Sequence, residues 1–377
     1  MSIYDSVFYL SKNLVVAGNV NSSGIIHYVD DLFFWTANLI RGSGAIMSIT
    51  LIPTVPMANI EQSAFAQVVE KCQMINAMGV AVMLNFAPSM NGNWYPYGQS
   101  PRAYLQAFQL LSNLVQNGTN QTAMVWSPSA QLGYPFVGGR YSSNSSEIRS
   151  LDTNGNGLLD GGDDPYLPYY PGDKFVDWVG FSAYYTSPPG NSTIYPILSD
   201  YESQLSQETS LPTTTSPLTP VPTLAPFVNV DPRNQSVADQ PTFESLLTSP
   251  RTNFNLYRDF SLARRKPFVV SSTGAGFYAG NGDVTELQVK SSWYGQIFNS
   301  TLLTNYEYIR AIVVQNNVFS LANTNLGVGL YKPSNLVNTV SLDFSISNPA
   351  VRQSFTALVS TLINQKMVSN RTRIASS

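Results

Sequence analysis

Hydrophobic positions along this chain follow two alternating rhythms. Short, nearly continuous apolar runs at 14–19, 45–53, 81–88, 122–128, 176–185, 267–274 and 309–317 predict strands buried on both faces. Between most of them, apolar residues recur at helical spacing over 30–41, 60–78, 101–116, 242–265 and 285–303, and an amphipathic helix is expected at 349–364. Strands that alternate with helices imply a parallel sheet with right-handed crossovers. The expected fold class is therefore α/β, a (β/α)8 TIM barrel forming a single domain over 1–377 with loop insertions. An open doubly wound sheet is the alternative, but no Gly-x-Gly-x-x-Gly turn follows the first predicted strand.

One region breaks the rhythm. Residues 203–241 are dominated by Pro, Thr and Ser, a composition that favours extended, solvated chain over a packed core. It follows the 176–185 run, so it is expected to emerge at the carboxyl ends of the strands. There it serves as a disordered linker or as an ordered lid. No internal repeats are visible.

Composition points outside the cell. Only 11% of the residues are charged, and Ser, Thr, Asn and Tyr carry the polarity instead. Asn21, Asn117, Asn120, Asn144, Asn191, Asn234, Asn299 and Asn370 each head an Asn-x-Ser/Thr sequon, a glycan acceptor if the chain enters a secretory pathway. Chance in a chain rich in these residues is the plainer explanation. The lone cysteine, Cys72, excludes an internal disulfide and is expected in the core. Neither a signal peptide nor a spanning apolar run is present, so extracellular or cell-surface placement implies a leader absent from this sequence. The net charge of −3, with no basic stripe, gives nucleic-acid binding no electrostatic support.

The twelve residues from Asp152 to Asp163 carry a metal signal. Oxygen side chains fall at loop positions 1, 3, 5, 9 and 12 as Asp152, Asn154, Asn156, Asp160 and Asp163. Gly157 stands at position 6 for the sharp turn, and Leu158 at position 7 would offer its carbonyl. This is the spacing of an EF-hand calcium loop without clear flanking helices, and with Asp in place of the terminal Glu. A structural Ca2+ is expected; a plain Asn/Gly turn is the alternative. Oxygen ligands exclude a zinc-type catalytic role.

The chemistry-bearing motifs lie at two strand ends. The stretch from Ala81 to Gly98 is a buried strand followed by a turn-rich loop containing Ser89, Met90, Asn91, Gly92, Asn93 and Trp94. The stretch from Lys266 to Gly276 begins Lys-Pro, continues as a second strand, and passes through Ser272 to Gly274. Together they resemble glycoside hydrolase family 26, the β-mannanases, whose acid/base strand reads Arg-x-x-His-Glu-Met-Asn-Gly-x-Trp and whose nucleophile strand reads Lys-Pro-x-x-x-x-Glu-x-Gly. Met90, Asn91, Gly92 and Trp94 match, whereas Asn85 stands for the arginine, Pro88 for the histidine and Ser89 for the acid/base glutamate. In the second motif, Ser272 occupies the nucleophile's place. The resemblance implies a barrel whose acid/base strand is the fourth. Here that strand counts third, so an eighth strand is expected before Gly79.

The two substitutions decide the functional expectation. A retaining glycosidase needs a carboxylic acid and a carboxylate about 5 Å apart. A serine hydroxyl is too weak an acid near neutral pH, and it becomes a nucleophile only beside a base. The single histidine, His27, lies far along the chain from both strands, so a Ser–His pair would require it to reach the site. What remains is a sugar-binding inventory: Trp94, Trp126 and Tyr184 to stack on a pyranose, and Asn91, Asn93, Ser89 and Ser272 to bond its hydroxyls. Tyr184 matches the resembled family's site tyrosine. Core packing is the competing explanation for Trp126, Trp178 and Tyr184, and Trp35 and Trp293 are expected to be buried against the barrel.

Three functions compete. One is a catalytically inactive homologue that binds a poly- or oligosaccharide such as mannan or another β-linked glycan. The second is an active glycosidase of the endo-β-mannanase class with relocated carboxylates, for which Glu61, Glu70, Glu147, Glu244, Glu286 and Glu307 are the candidates. The third is a structural or interaction protein of a cell surface, with the barrel as scaffold. Fold alone does not separate them.

Overall fold

The computed structural model describes residues 3–13, 15–20, 26–28, 30–93, 95–131, 134–136, 145–186, 242–249, 253–278, 285–316, 318–321, 340–365 and 367. The strands among them are β1 (Ile3–Leu10), β2 (Val15–Val20), β3 (Ile26–Tyr28), β4 (Ile46–Pro53), β5 (Ala81–Phe86), β6 (Thr122–Trp126), β7 (Trp178–Thr186), β8 (Phe268–Tyr278), β9 (Ile309–Val314), β10 (Val318–Leu321) and β11 (Val340–Asp343). The α-helices are α1 (Asp30–Ile40), α2 (Gln62–Ala77), α3 (Pro101–Gly118), α4 (Ser145–Leu151), α5 (Phe243–Thr248), α6 (Glu286–Ile297), α7 (Ser300–Asn305) and α8 (Pro349–Asn364).

Seven strands, β1, β4, β5, β6, β7, β8 and β9, lie side by side and parallel. The outer two, β1 and β9, approach within 8 Å between Cα atoms, so the sheet curls into a half-barrel. β2 and β3 extend the β1 edge antiparallel, and a β10–β11 ribbon pairs with the far end of β8.

Seven parallel strands stand among the described residues where eight were expected. The strand anticipated before Gly79 is β1, whose mixed sequence Ile-Tyr-Asp-Ser-Val-Phe-Tyr-Leu lacks a continuous apolar run. The run at 14–19, expected in the barrel, is β2; it folds back on β1 and leaves the parallel set. β5 therefore remains third, and the described parallel strands number seven.

Two predicted helices are divided. The 242–265 pattern gives α5 and a separate π-helical turn, Tyr257–Leu262. Ser249 ends α5 in the left-handed region at φ 47°, and the following Pro250 has no N–H to continue the ladder. The 285–303 pattern breaks between α6 and α7, where the Asn299 side chain accepts from the N–H groups of Thr301 and Leu302 and starts a new helix. Elsewhere local chemistry matches the expectation. α3 and α8 each begin with proline in the first turn, and α6 opens on a Thr285/Gln288 capping box.

Alternation along the strands builds two faces. On β5, Val82, Leu84 and Phe86 face the helices, where the Phe86 ring meets Phe65, Tyr104 and Phe108. Met83 points the other way, into an interior cluster with Val125, Val269, Ala311 and Val313, flanked by Ile46 and Trp178. Fully burying each Val, Leu, Phe or Met side chain among these contributes about 1.5–3 kcal/mol. Trp126 lies fully buried on the helical side against Tyr170 and Phe260, and Trp293 is buried as expected, its indole N–H donating to Thr273 Oγ1 at 3.0 Å. Trp35 corrects its expectation: it is 62% exposed, because α1 turns Ala37 and Ile40 inward instead.

Candidate ligand site at the carboxyl ends of the strands

The loop after β5 is held by its own polar groups. Asn91 accepts from Ser129 N–H at 2.8 Å and donates to Ser129 C=O at 3.0 Å, and the Asn93 amide donates to Phe136 C=O. Tyr97 donates to Pro88 C=O at 2.8 Å; burial pushes its phenol well above the usual range, so it stays a neutral donor. A Cβ at Gly98 would stand 2.2 Å from the Gly92 carbonyl oxygen, which restricts that position to glycine. Ala87, Ser89 and Gln99 all adopt positive φ, between 46° and 61°. Such strain is sustained only where surrounding structure over-determines it.

The motif residues thus divide by role. Met90, Asn91 and Asn93 are buried and shape the loop, and Trp126 sits in the helical layer, away from the barrel interior. Trp94, like residues 203–241, lies outside the described residues. Ser89 is 1% exposed; its N–H donates to Ser127 C=O at 2.8 Å, while its hydroxyl has no partner among the described residues. The carbonyl oxygen of the Asn85 side chain is likewise buried and unpartnered.

Beside this loop the interior is lined with alcohols. Ser271 Oγ lies 2.6 Å from Ser127 Oγ and 3.2 Å from Ser182 Oγ. A register shift between Phe181 and Ser182 lets two successive residues of β8 reach interior groups. The second, Ser272, accepts from Tyr184 Oη at 2.5 Å and donates to Gln315 Oε1 at 3.3 Å. Neither Ser89 nor Ser272 has a carboxylate partner among the described residues. Sequence reasoning missed Ser127, Ser182, Ser271 and Gln315. Their signal was parity: each lies an even number of residues beyond an interior apolar side chain, as Ser127 does after Val125 and Gln315 after Val313.

Tyr184 is buried by the turn after β11. Phe344 crosses its ring edge-on at a centroid separation of 5.7 Å and is itself 1% exposed.

The candidate carboxylates stand elsewhere. Glu61 pairs with Lys12 at the start of α2, and Glu70 is exposed on the same helix. Glu147 lies on α4, Glu244 accepts from Tyr306, Glu286 pairs with Lys290 and Glu307 is exposed. His27 is on β3, the outer strand of the antiparallel ribbon, in register with Asn19.

In the 152–163 loop, Asp152 accepts from the N–H groups of Asn156 and Gly157, and Asn156 donates from its amide to Asp160. Asn154 accepts from Asn156 N–H, so the first four side-chain ligands proposed from spacing curl around one turn. Gly155 and Gly157 take positive φ to allow it. Asp160 is held below the usual carboxylate range by the N–H of Gly162 and the Asn156 amide. Asp163 is buried beneath, accepting from Thr153, Asn154 and Asp160 N–H groups. The Leu158 side chain is exposed. Among the described residues no three His, Cys, Asp or Glu side chains gather as a metal-binding group.

Cys72 is buried in the core, as expected. Of the sequons, Asn117, Asn120 and Asn299 are exposed; the other five fall outside the described residues. No helix among the described residues is long and apolar enough to cross a membrane.

Fold and site together define an α/β protein with a curled parallel sheet whose interior carries hydrogen-bonded serines. The sequence matches no family profile and no curated protein. Among solved structures, the chain is similar to the Bacillus subtilis mannanase man26, at 14% identity and TM-score 0.41 over 84% of this chain and 71% of the other. It is also similar to a family 26 β-mannanase from Bacteroides ovatus, at 15% identity and TM-score 0.41, covering 82% and 70%. A third similar structure is an endo-β-1,4-mannanase from Cellulomonas fimi, at 11% and 0.43, covering 89% and 59%.

Proposed function

We propose that this protein is a non-catalytic, glycosidase-like half-barrel that holds a poly- or oligosaccharide at the carboxyl ends of its strands. The observation that carries the reading is the pair of serines. At the two positions where the resembled family places its glutamates stand Ser89, whose hydroxyl has no partner among the described residues, and Ser272, bonded to Tyr184 and Gln315. Two alcohols cannot supply the acid and the carboxylate that glycoside hydrolysis requires. Neutral hydroxyl and amide groups are suited to bonding sugar hydroxyls, and Tyr184 would offer an aromatic face once Phe344 moved off it. Mannan and other β-linked glycans are the ligands to try first.

The test pairs an affinity gel loaded with mannan or other β-linked glycans with a reducing-sugar assay on the same polymers. Retention without release of reducing ends is expected. Sustained release would end the reading in favour of the relocated-carboxylate glycosidase.

A scaffold at a cell surface is the second reading. The burial of Asn91, Asn93 and Tyr184 favours it, and a protein that passes every gel unretarded would establish it. Both readings share an extracellular or surface setting, supported by the low charge and the exposed sequons at Asn117, Asn120 and Asn299. Ca2+ in the 152–163 loop, held through Asp152, Asn154, Asn156, Asp160, Asp163 and the Leu158 carbonyl, would fix the rim between β6 and β7.

A further inference from the structure

We propose that the turn at 343–346 is a strap closed over Tyr184, and that Lys290 is its latch. The proposal deepens the ligand-site reading by assigning a regulatory cover to that site.

Phe344 packs edge-on against the Tyr184 ring, and both side chains are almost wholly buried. Gly274 on β8 makes the approach feasible, since a Cβ there would come within 2.9 Å of Phe344 Cδ1. On one side of Phe344, Ile346 N–H donates to Asn316 Oδ1 at 2.8 Å, just beyond Gln315. On the other side stands Lys290 of α6, whose ammonium is fully buried.

Lys290 Nζ reaches Glu286 Oε1 at 2.6 Å, Asp343 Oδ1 at 3.2 Å and the Ser345 carbonyl at 2.5 Å. Asp343 Oδ1 also accepts from Ser345 N–H at 2.6 Å, and Glu286 Oε2 accepts from Asn348 Nδ2 at 2.8 Å. All three ammonium protons are therefore used, two of them on the residues that flank Phe344. The side chain that covers Tyr184 is clamped at both neighbours by one buried cation on a different element. A buried, fully satisfied charge holds a single geometry, and removing it frees the segment it organises.

The strap is tested on the full chain by tetranitromethane nitration, mapped by peptide mass spectrometry, together with amide hydrogen exchange. In the unaltered protein Tyr184 is expected to be protected. Lys290→Met and Phe344→Ala should each raise its nitration rate at least fivefold while the core residues Tyr97 and Tyr104 remain unmodified. Lys290→Met should also speed exchange at the Ser345 and Ile346 amides. Rapid nitration of Tyr184 in the unaltered protein would overturn the strap, as would its continued protection in a folded Phe344→Ala variant. A folded Lys290→Met variant with unchanged Tyr184 and strap amides would overturn the latch. Should Lys290→Met expose Tyr97 as well, the chain has unfolded, and Lys290→Gln with Phe344→Ala decides. No sugar enters these measurements. An uncovered Tyr184 that leaves glycan retention unchanged would count against the sugar reading and leave the strap standing.

Discussion

Asn91 illustrates how a residue that reads as a ligand contact becomes a structural tie. Its amide bonds both the N–H and the C=O of Ser129, replacing a strand partner with a side chain across the mouth of the half-barrel. Asn91→Ala would leave both backbone groups buried and unpaired, and the expected loss is about 3 kcal/mol, read from a urea unfolding curve. Cys72 makes a second residue-scale prediction. Burial pushes its thiol up to about 12, with a smaller opposing contribution from a hydrogen bond with Thr122. The folded chain therefore keeps its proton after the unfolded chain has lost it. Stability is undiminished by this group below about pH 9 and falls as pH rises from there towards 12. A thiol-reactive dye at pH 8 should label Cys72 only after denaturant is added; rapid labelling of the native protein would contradict the burial. Ser89 was legible as the residue standing at the glutamate position of the resembled pattern. Its positive φ and the lack of a hydroxyl partner among the described residues were not, because both follow from the path of the loop across Ser127.

At the scale of elements, buried parallel strands were read well because an apolar run needs no partner to be recognised. β1 escaped because its alternation mixes Asp and Ser with apolar residues, and β2 was misplaced because its pairing direction is set by the tight return after β1. Helix breaks at Ser249 and Asn299 are marked by a proline and a capping amide, signals weaker than the apolar periodicity running through them. The 152–163 loop was singled out by spacing alone. Asp152, Asn154, Asn156 and Asp160 curl together, whereas Asp163 is spent on backbone N–H groups. If Ca2+ binds there, chelation with EDTA should lower the melting temperature by about 3 °C, the shift expected for loss of a ligand present at a hundred times its Kd. Terbium luminescence sensitised by a nearby tyrosine would register the same site, and silence in both measurements would remove calcium from the account. Lys290 belongs to this scale too, since it joins α6 to the turn after β11. Lys290→Met should cost about 3 kcal/mol, the lower end for breaking a buried pair, because Glu286 and Asp343 keep some solvent.

For the whole molecule the question is whether two glutamates at the motif positions would be enough for glycoside hydrolysis. Ser89→Glu with Ser272→Glu is expected to release no reducing ends from mannan. A carboxyl at 89 would enter a buried layer of alcohols and amides, with Asn85 and Pro88 in place of the arginine and histidine of the resembled pattern. Desolvation without a partner would hold it neutral and misoriented. The doubly substituted protein should also be less stable than the parent, and turnover by it would show that the surroundings had been kept fit for catalysis. The interior that makes this prediction is two hydrogen-bonded groups, Ser127–Ser271–Ser182 and Tyr184–Ser272–Gln315, drawn from β7, β8 and the residues just beyond β6 and β9.

The sequence by itself determined the α/β rhythm, the helix starts, the core placement of Cys72 and Trp293, and the serines at the two motif positions. These properties reside in single segments, where periodicity, caps and motif spacing act locally. Only the tertiary structure decided that β2 turns away from the parallel set, that Asn91 and Asn93 secure a loop, and that Phe344 covers Tyr184. Each of those depends on segments far apart in the chain meeting at hydrogen-bonding or van der Waals distance, and no local pattern encodes which distant carbonyl, ring or ammonium will arrive.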